Sequence, residues 1–235
     1  MNHIELIQSA REALNKRETV EIELKLKKLQ ESCIQITDNN LKFDFHVLIY
    51  RMLEFLKREP EALEVLKNAL KYCQNGSQKR MILREMGLTY MRMNLLDKGF
   101  EHLEAYYTEA NVTQTYNEII DAALWLARFY YSKENYIQSL EYSNQVIYAS
   151  QKENNLFAIA EGQLINGLIL YKEGKKNLAL DILREAEETA IDAHALALIQ
   201  RIAISRCKIL MDKQNMEAVS MIINNLFKTI EPLSI

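Results

Sequence analysis

From Arg84 onward, apolar residues recur at helical spacing and again at a fixed long interval. The segments REMGLTYMRMNLLDKGFEHLEAY from Arg84, LWLARFYYSKENYIQSLEYSNQV from Leu124, LINGLILYKEGKKNLALDILREA from Leu164 and ISRCKILMDKQNMEAVSMIINNL from Ile204 start 40 residues apart and align without a gap. One column holds Gly87, Ala127, Gly167 and Cys207, and a second, 12 residues on, holds Gly99, Ser139, Ala179 and Val219. Bulky columns lie around them: Tyr90, Tyr130, Leu170 and Leu210, then Phe100, Leu140 and Leu180, with Ser220 as the exception. Leu96, Tyr136, Lys176 and Met216 mark where the turn meets the second helix. Small residues at matching places on successive helices let two backbones approach. Each phrase therefore predicts a helix, a turn and a second helix packed back on the first.

Turn chemistry points the same way. Asn94 is placed to cap a helix with Asp97 in its first turn, Asn135 is expected in the same slot, and Gly174 supplies a helix stop. Toward the N-terminus the pattern weakens: Leu48–Leu70 still fits, with Pro60 near a helix start, but stands 37 rather than 40 residues from the next unit. The opening NHIELIQSAREAL has Asn2 and Glu5 in capping-box spacing, with Ile4, Ile7, Ala10 and Leu14 on one face. TVEIELKLKKL alternates like a strand, yet Glu21 with Lys25 and Glu23 with Lys27 are four apart and no partner strand is visible, so a helix is expected. The reading is an all-α chain of about six antiparallel helix pairs, or about twelve helices. Such pairs cannot bury their apolar faces alone and stack into a solenoid with a concave inner surface. One repeat domain is expected over residues 1–235, clearest at 80–230 and degenerate at 1–79.

Composition agrees, because six Gly and two Pro in 235 residues leave little punctuation for strands. A net charge of −3 carries no global basic footprint for nucleic acid. No run of roughly 18 apolar residues crosses a membrane and the N-terminus lacks a leader pattern, so a cytoplasmic location is expected.

Chemistry is sparse. His3, His46, His102 and His194 form no HExxH, the glycines are scattered singly, and no cluster has metal-ligand spacing. Neither a cofactor, a metal nor an enzymatic activity is expected. Cys33, Cys73 and Cys207 are expected to act as small hydrophobes, and Trp125 and most methionines as packing between helices.

The columns resemble the tetratricopeptide repeat, whose small, aromatic, small and bulky positions 8, 11, 20 and 24 they match. The likeness is best in Leu126–Ala127, Tyr130–Tyr131, Tyr136 and Ser139–Leu140, and covers residues 80–226. Departures are Leu83, Ala123, Gln163 and Ala203 where the family has Trp, the missing helix-ending Pro, and a period of 40 rather than about 34. The six extra residues are expected to lengthen the helices and the inter-repeat connection, as in TEANVTQTY. HEAT repeats share the longer period, but the two small columns favour the tetratricopeptide reading.

The resemblance implies a right-handed superhelical solenoid whose first helices line the concave face. Carried over by column, the partner-binding candidates are Arg84, Leu88 and Met91, then Asp121, Leu124, Arg128 and Tyr131, then Leu168 and Tyr171, and finally Arg201 and Lys208. Isolated charges among apolar and aromatic side chains suit an extended or helical peptide bearing acidic groups. The long repeat is also similar to that of the Rap and PlcR-like peptide sensors of Gram-positive bacteria, without their N-terminal helix-turn-helix or output domain. The expected function is a protein or peptide interaction scaffold. The alternative is a sensory module acting on a separate output protein. The apolar C-terminal helix, with Met216, Val219, Ile222, Ile223, Leu226, Phe227 and Ile230, is expected to be covered either by the chain's own tail or by a second copy in a homodimer.

Overall fold

The computed structural model describes the backbone of residues 3–233 and the side chains of residues 3–226. Among the described residues there is no strand. Twelve helices follow one another: α1 (His3–Lys16), α2 (Thr19–Gln35), α3 (Asn39–Phe55), α4 (Glu59–Leu70), α5 (Gly76–Arg92), α6 (Leu96–Val112), α7 (Tyr116–Ser132), α8 (Tyr136–Lys152), α9 (Leu156–Lys172), α10 (Lys176–Asp192), α11 (Leu196–Asp212) and α12 (Met216–Leu233). The 40-residue period is two identical halves. Each helix from α5 to α11 has 17 residues and is followed by three connecting residues.

The middle residue of each connection adopts the left-handed conformation, at Asn94, Gln114, Glu134, Asn154, Gly174, His194 and Gln214. It closes the preceding helix by a Schellman motif: the Asn135 N–H donates to the Tyr130 carbonyl at 2.9 Å and the Glu134 N–H to the Tyr131 carbonyl at 3.1 Å. The third residue then caps the next helix. Asn135, Asn155 and Asn215 accept the N–H groups of Gln138, Ala158 and Ala218 at 3.3, 3.1 and 3.1 Å.

Two expectations are corrected here. Asn94 is no N-cap; it is the left-handed residue, a role its short polar side chain tolerates, and Leu95 occupies the slot equivalent to Asn135. Nor is the inter-repeat connection long: residues 113–115 are as short as the turns within repeats, and the extra residues lie in the helices. The shorter spacing upstream comes from α4, which has only 12 residues and is followed by a five-residue connection. Pro60 sits in the first turn of α4, where its missing N–H leaves no bond unmade.

The chain divides into two compact units, residues 1–109 and 110–235. In the first, α2 buries Ile22, Leu26 and Leu29, a helical spacing, and leaves Val20 and Leu24 exposed, which resolves the alternating stretch as helix. In α1 the buried face is Leu6, Ala10 and Ala13, flanked by Ile7 and Leu14, while Ile4 is exposed against expectation. Asn2 of the expected capping box lies outside the described residues. Phe43, Phe45, Ile49, Leu53 and Leu66 extend this core through α3 and α4.

The small columns are crossing points. A Cβ on Gly87 would lie 3.0 Å from the Gly99 carbonyl oxygen, and one on Gly99 would lie 2.9 Å from that of Gly87. In the second unit the Ser139 hydroxyl donates to the Ala127 carbonyl at 2.8 Å, and a Cβ on Gly167 would meet Leu183 Cγ at 2.6 Å. Ala127, Ile165 and Ile169 join α7 to α9, and Leu164, Ala179, Leu183, Leu198 and Ile202 join α9, α10 and α11.

Candidate functional site

In the second unit α9 packs beside both α7 and α11, so side chains of the three helices meet along it. Glu161 of α9 is only 2% exposed and is gripped from both sides. Arg128 of α7 donates from Nη2 to Oε2 at 2.7 Å, and Arg201 of α11 from Nη1 to Oε1 at 2.5 Å. The Arg128 and Arg201 side chains remain 39% and 50% exposed, so the pair of cations stands at the surface while the carboxylate does not. Two cations on one buried carboxylate leave a local charge of +1 at the surface.

Aromatic groups flank this triad. Tyr131 and Tyr136 stack at 5.8 Å in a tilted pair, and burial raises the Tyr131 hydroxyl above its ordinary pKa. Further along, the Tyr171 hydroxyl donates to the Asp212 carboxylate, and that bond, more than its slight burial, raises its pKa. Lys208 Nζ stands 6.0 Å from the centre of the Tyr171 ring.

Of the sequence-predicted residues, the structure brings Arg128 and Arg201 together through Glu161, and Tyr171 together with Lys208. Leu124 and Tyr131 pack at the edge of the α7–α9 seam, and Leu168 and Tyr171 at the edge of the α9–α11 seam. Asp121, half-buried, lies on α7 one helical stretch before Leu124. The arginines are not isolated charges as expected.

In the first unit Arg84 pairs with its neighbour Glu85 at 2.8 Å, and Glu85 accepts the Tyr50 hydroxyl at 2.7 Å. Burial, then the Glu85 charge, pushes the Tyr50 hydroxyl far above its usual range, so it stays a donor. Arg92 bridges Glu54 at 3.0 Å and Glu59 at 3.1 Å. Met91 covers Gly99 and so contributes to helix packing, while Leu88 is half-buried on the same helix. Tyr50 and Glu85 escaped the sequence reading because neither belongs to the columns carried over from the resemblance.

Among the described residues no group of three or more His, Cys, Asp or Glu is placed to hold a metal ion. No described helix is long and apolar enough to cross a membrane. All three cysteines are free thiols, each raised in pKa by burial. Cys33 Sγ lies 3.7 Å from His46 Nδ1, which hydrogen-bonds the Lys42 carbonyl at 2.7 Å.

No family model matches the chain, and no curated protein does. Solved structures do. The apo form of RapI superposes with a TM-score of 0.85 at 12% identity, covering 97% of this chain and 64% of RapI. A signal transduction ATPase with numerous domains and a tetratricopeptide repeat sensor, from Pyrococcus horikoshii, gives 0.82 at 16% identity, covering 97% of this chain and 36% of that one. NprR in complex with its cognate peptide NprX gives 0.59 at 14% identity, covering 98% of this chain and 66% of that one. The chain thus spans less than two thirds of RapI's length. With the 20-residue helical rhythm and the small-residue crossings, these likenesses establish the all-α, tetratricopeptide-like helical-repeat fold of the Rap and NprR type.

Proposed function

We propose that the face made by α7, α9 and α11 captures a peptide segment, extended or helical, that carries an acidic group. The observation behind this reading is the gripping of buried Glu161 by two half-exposed arginines. Glu161 holds the guanidinium planes in place, so an incoming carboxylate meets preorganised donors rather than flexible side chains. Leu124, Tyr131, Leu168 and Tyr171 supply apolar and aromatic surface on either side. The solved complex of NprR with its cognate peptide supports the same use of this fold.

In this reading the protein is a cytoplasmic interaction scaffold without catalytic activity, cofactor or nucleic-acid partner. A sensory module acting on a separate output protein is the second reading, favoured by the likeness to a repeat sensor within a signalling ATPase. An array of acidic and charge-neutral peptides separates binding from its absence. Acidic peptides should be retained by the native chain and released by the Arg128→Gln/Arg201→Gln variant, with helicity kept. Equal retention by both proteins would refute the site.

A further inference from the structure

An apolar groove lies between α11 and α12. This groove of 380 Å³ is lined by Ile204, Cys207, Lys208, Met211, Ile223 and Leu226, among others. Ile204, Met211 and Ile223 are 67%, 55% and 44% exposed, whereas Leu164, one period before Ile204, is 2% exposed.

The repeat itself records what fills a groove of this kind. Between α7 and α8, the helix α9 lays Ile165 and Ile169 against Ala127, Leu124 and Tyr131. Four residues before Ile165, Glu161 meets Arg128 at 2.7 Å. In the α11–α12 groove Cys207 stands at the place of Ala127, Ile204 at that of Leu124, Met211 at that of Tyr131 and Lys208 at that of Arg128. Among the described residues Lys208 has no ion pair, only the Tyr171 ring.

We propose that the α11–α12 groove docks an amphipathic α-helix of another protein, one presenting a carboxylate followed four and eight residues later by branched apolar side chains. The carboxylate pairs with Lys208, and the two apolar side chains enter between Ile204, Met211 and Ile223. A second copy of this chain does not fit that description. On its described helices the one pair of exposed large apolar residues spaced by four is Val20 and Leu24, and Val20 is the second residue of α2, so no residue of that helix stands four before it to present a carboxylate to Lys208.

The test uses the full chain and a fluorescent synthetic peptide with the α9 sequence, Leu156–Lys172, carrying a soluble tail. Saturable binding is expected, weakened about tenfold by Lys208→Glu. Binding to that variant is expected to return when the peptide residue equivalent to Glu161 is changed to Lys. Ile223→Asp should abolish binding. Binding indifferent to Lys208→Glu and Ile223→Asp, or no saturation, overturns the proposal. So does self-association of the chain that Ile223→Asp removes, which would make a second copy the occupant. Peptide binding that appears only after residues 227–235 are deleted would show instead that the chain covers its own groove.

Discussion

Arg128 and Glu161 sit 33 residues apart in sequence and 2.7 Å apart in space, joining α7 to α9 through a carboxylate that is almost wholly buried. Arg201 completes the contact from α11, so one side chain ties three successive first helices together.

Removing both arginines strands a buried charge. Arg128→Gln alone should lower stability by about 1 kcal/mol, since Arg201 remains and the group is half-exposed. The double change should approach the ~3–5 kcal/mol loss seen when a buried pair is broken. Urea denaturation of the single and double variants measures both. Glu161→Gln removes the charge that fixes both guanidinium groups and should lower affinity for acidic peptides about tenfold, which a peptide titration reads.

Gly87 and Gly99 tolerate no side chain, because each one's Cβ would approach the other's carbonyl within 3.0 Å. Gly99→Ala should lose about 1–3 kcal/mol to overpacking, offset by no more than ~1 kcal/mol of helix propensity. By contrast, an added Cβ at Gly174 touches nothing within 4 Å, but its φ of 79° makes Gly174→Ala unfavourable by about 1 kcal/mol through the backbone alone. Thermal melts of the two variants distinguish contact from conformation only by magnitude, so Gly99→Ser belongs beside them as a larger probe.

Glu134 and Gln214 occupy the same left-handed position as Gly174 with side chains that disfavour it. Glu134→Gly and Gln214→Gly should each stabilise the chain by up to about 1 kcal/mol, the left-handed strain relieved less the extra freedom of glycine in the unfolded state. A rise in melting temperature checks this, and a fall would mean that the side chains make contacts worth more than the strain.

His46 is held below its ordinary pKa of 6.5, chiefly by burial, with Lys42 and Lys71 adding repulsion. A depressed folded pKa means that the unfolded chain takes up the proton first. Stability from neutral His46 is therefore full above pH 6.5 and is lost as the pH falls from there through the folded value. His46→Gln should flatten that acid-side slope, and denaturation midpoints at several pH values between neutral and mildly acid read it directly.

Much of this fold is visible in one dimension. The columns Gly87, Ala127, Gly167 and Gly99, Ser139, Ala179 could be aligned because a backbone crossing admits only small side chains, a demand that recurs with each repeat. The cap at Asn135 was legible for the same local reason. Asn94 was misplaced by one position, because Asn serves both as an N-cap and as a left-handed residue and composition does not say which. Tyr50 and Glu85 went unseen because they meet 35 residues apart, off the repeat register.

Helix periodicity, the repeat length and the all-α class follow from the order of residues alone, since each depends on contacts within a helix or between neighbours in the chain. Tertiary structure decided which charges are paired. Arg128 and Arg201 carry the same sequence signal as any solvated arginine, and only the stacking of α7, α9 and α11 brings Glu161 between them. It also decided which apolar residues stay exposed. Leu164 and Ile204 are equivalent letters in the repeat, but a following helix covers the first, while among the described residues none covers the second.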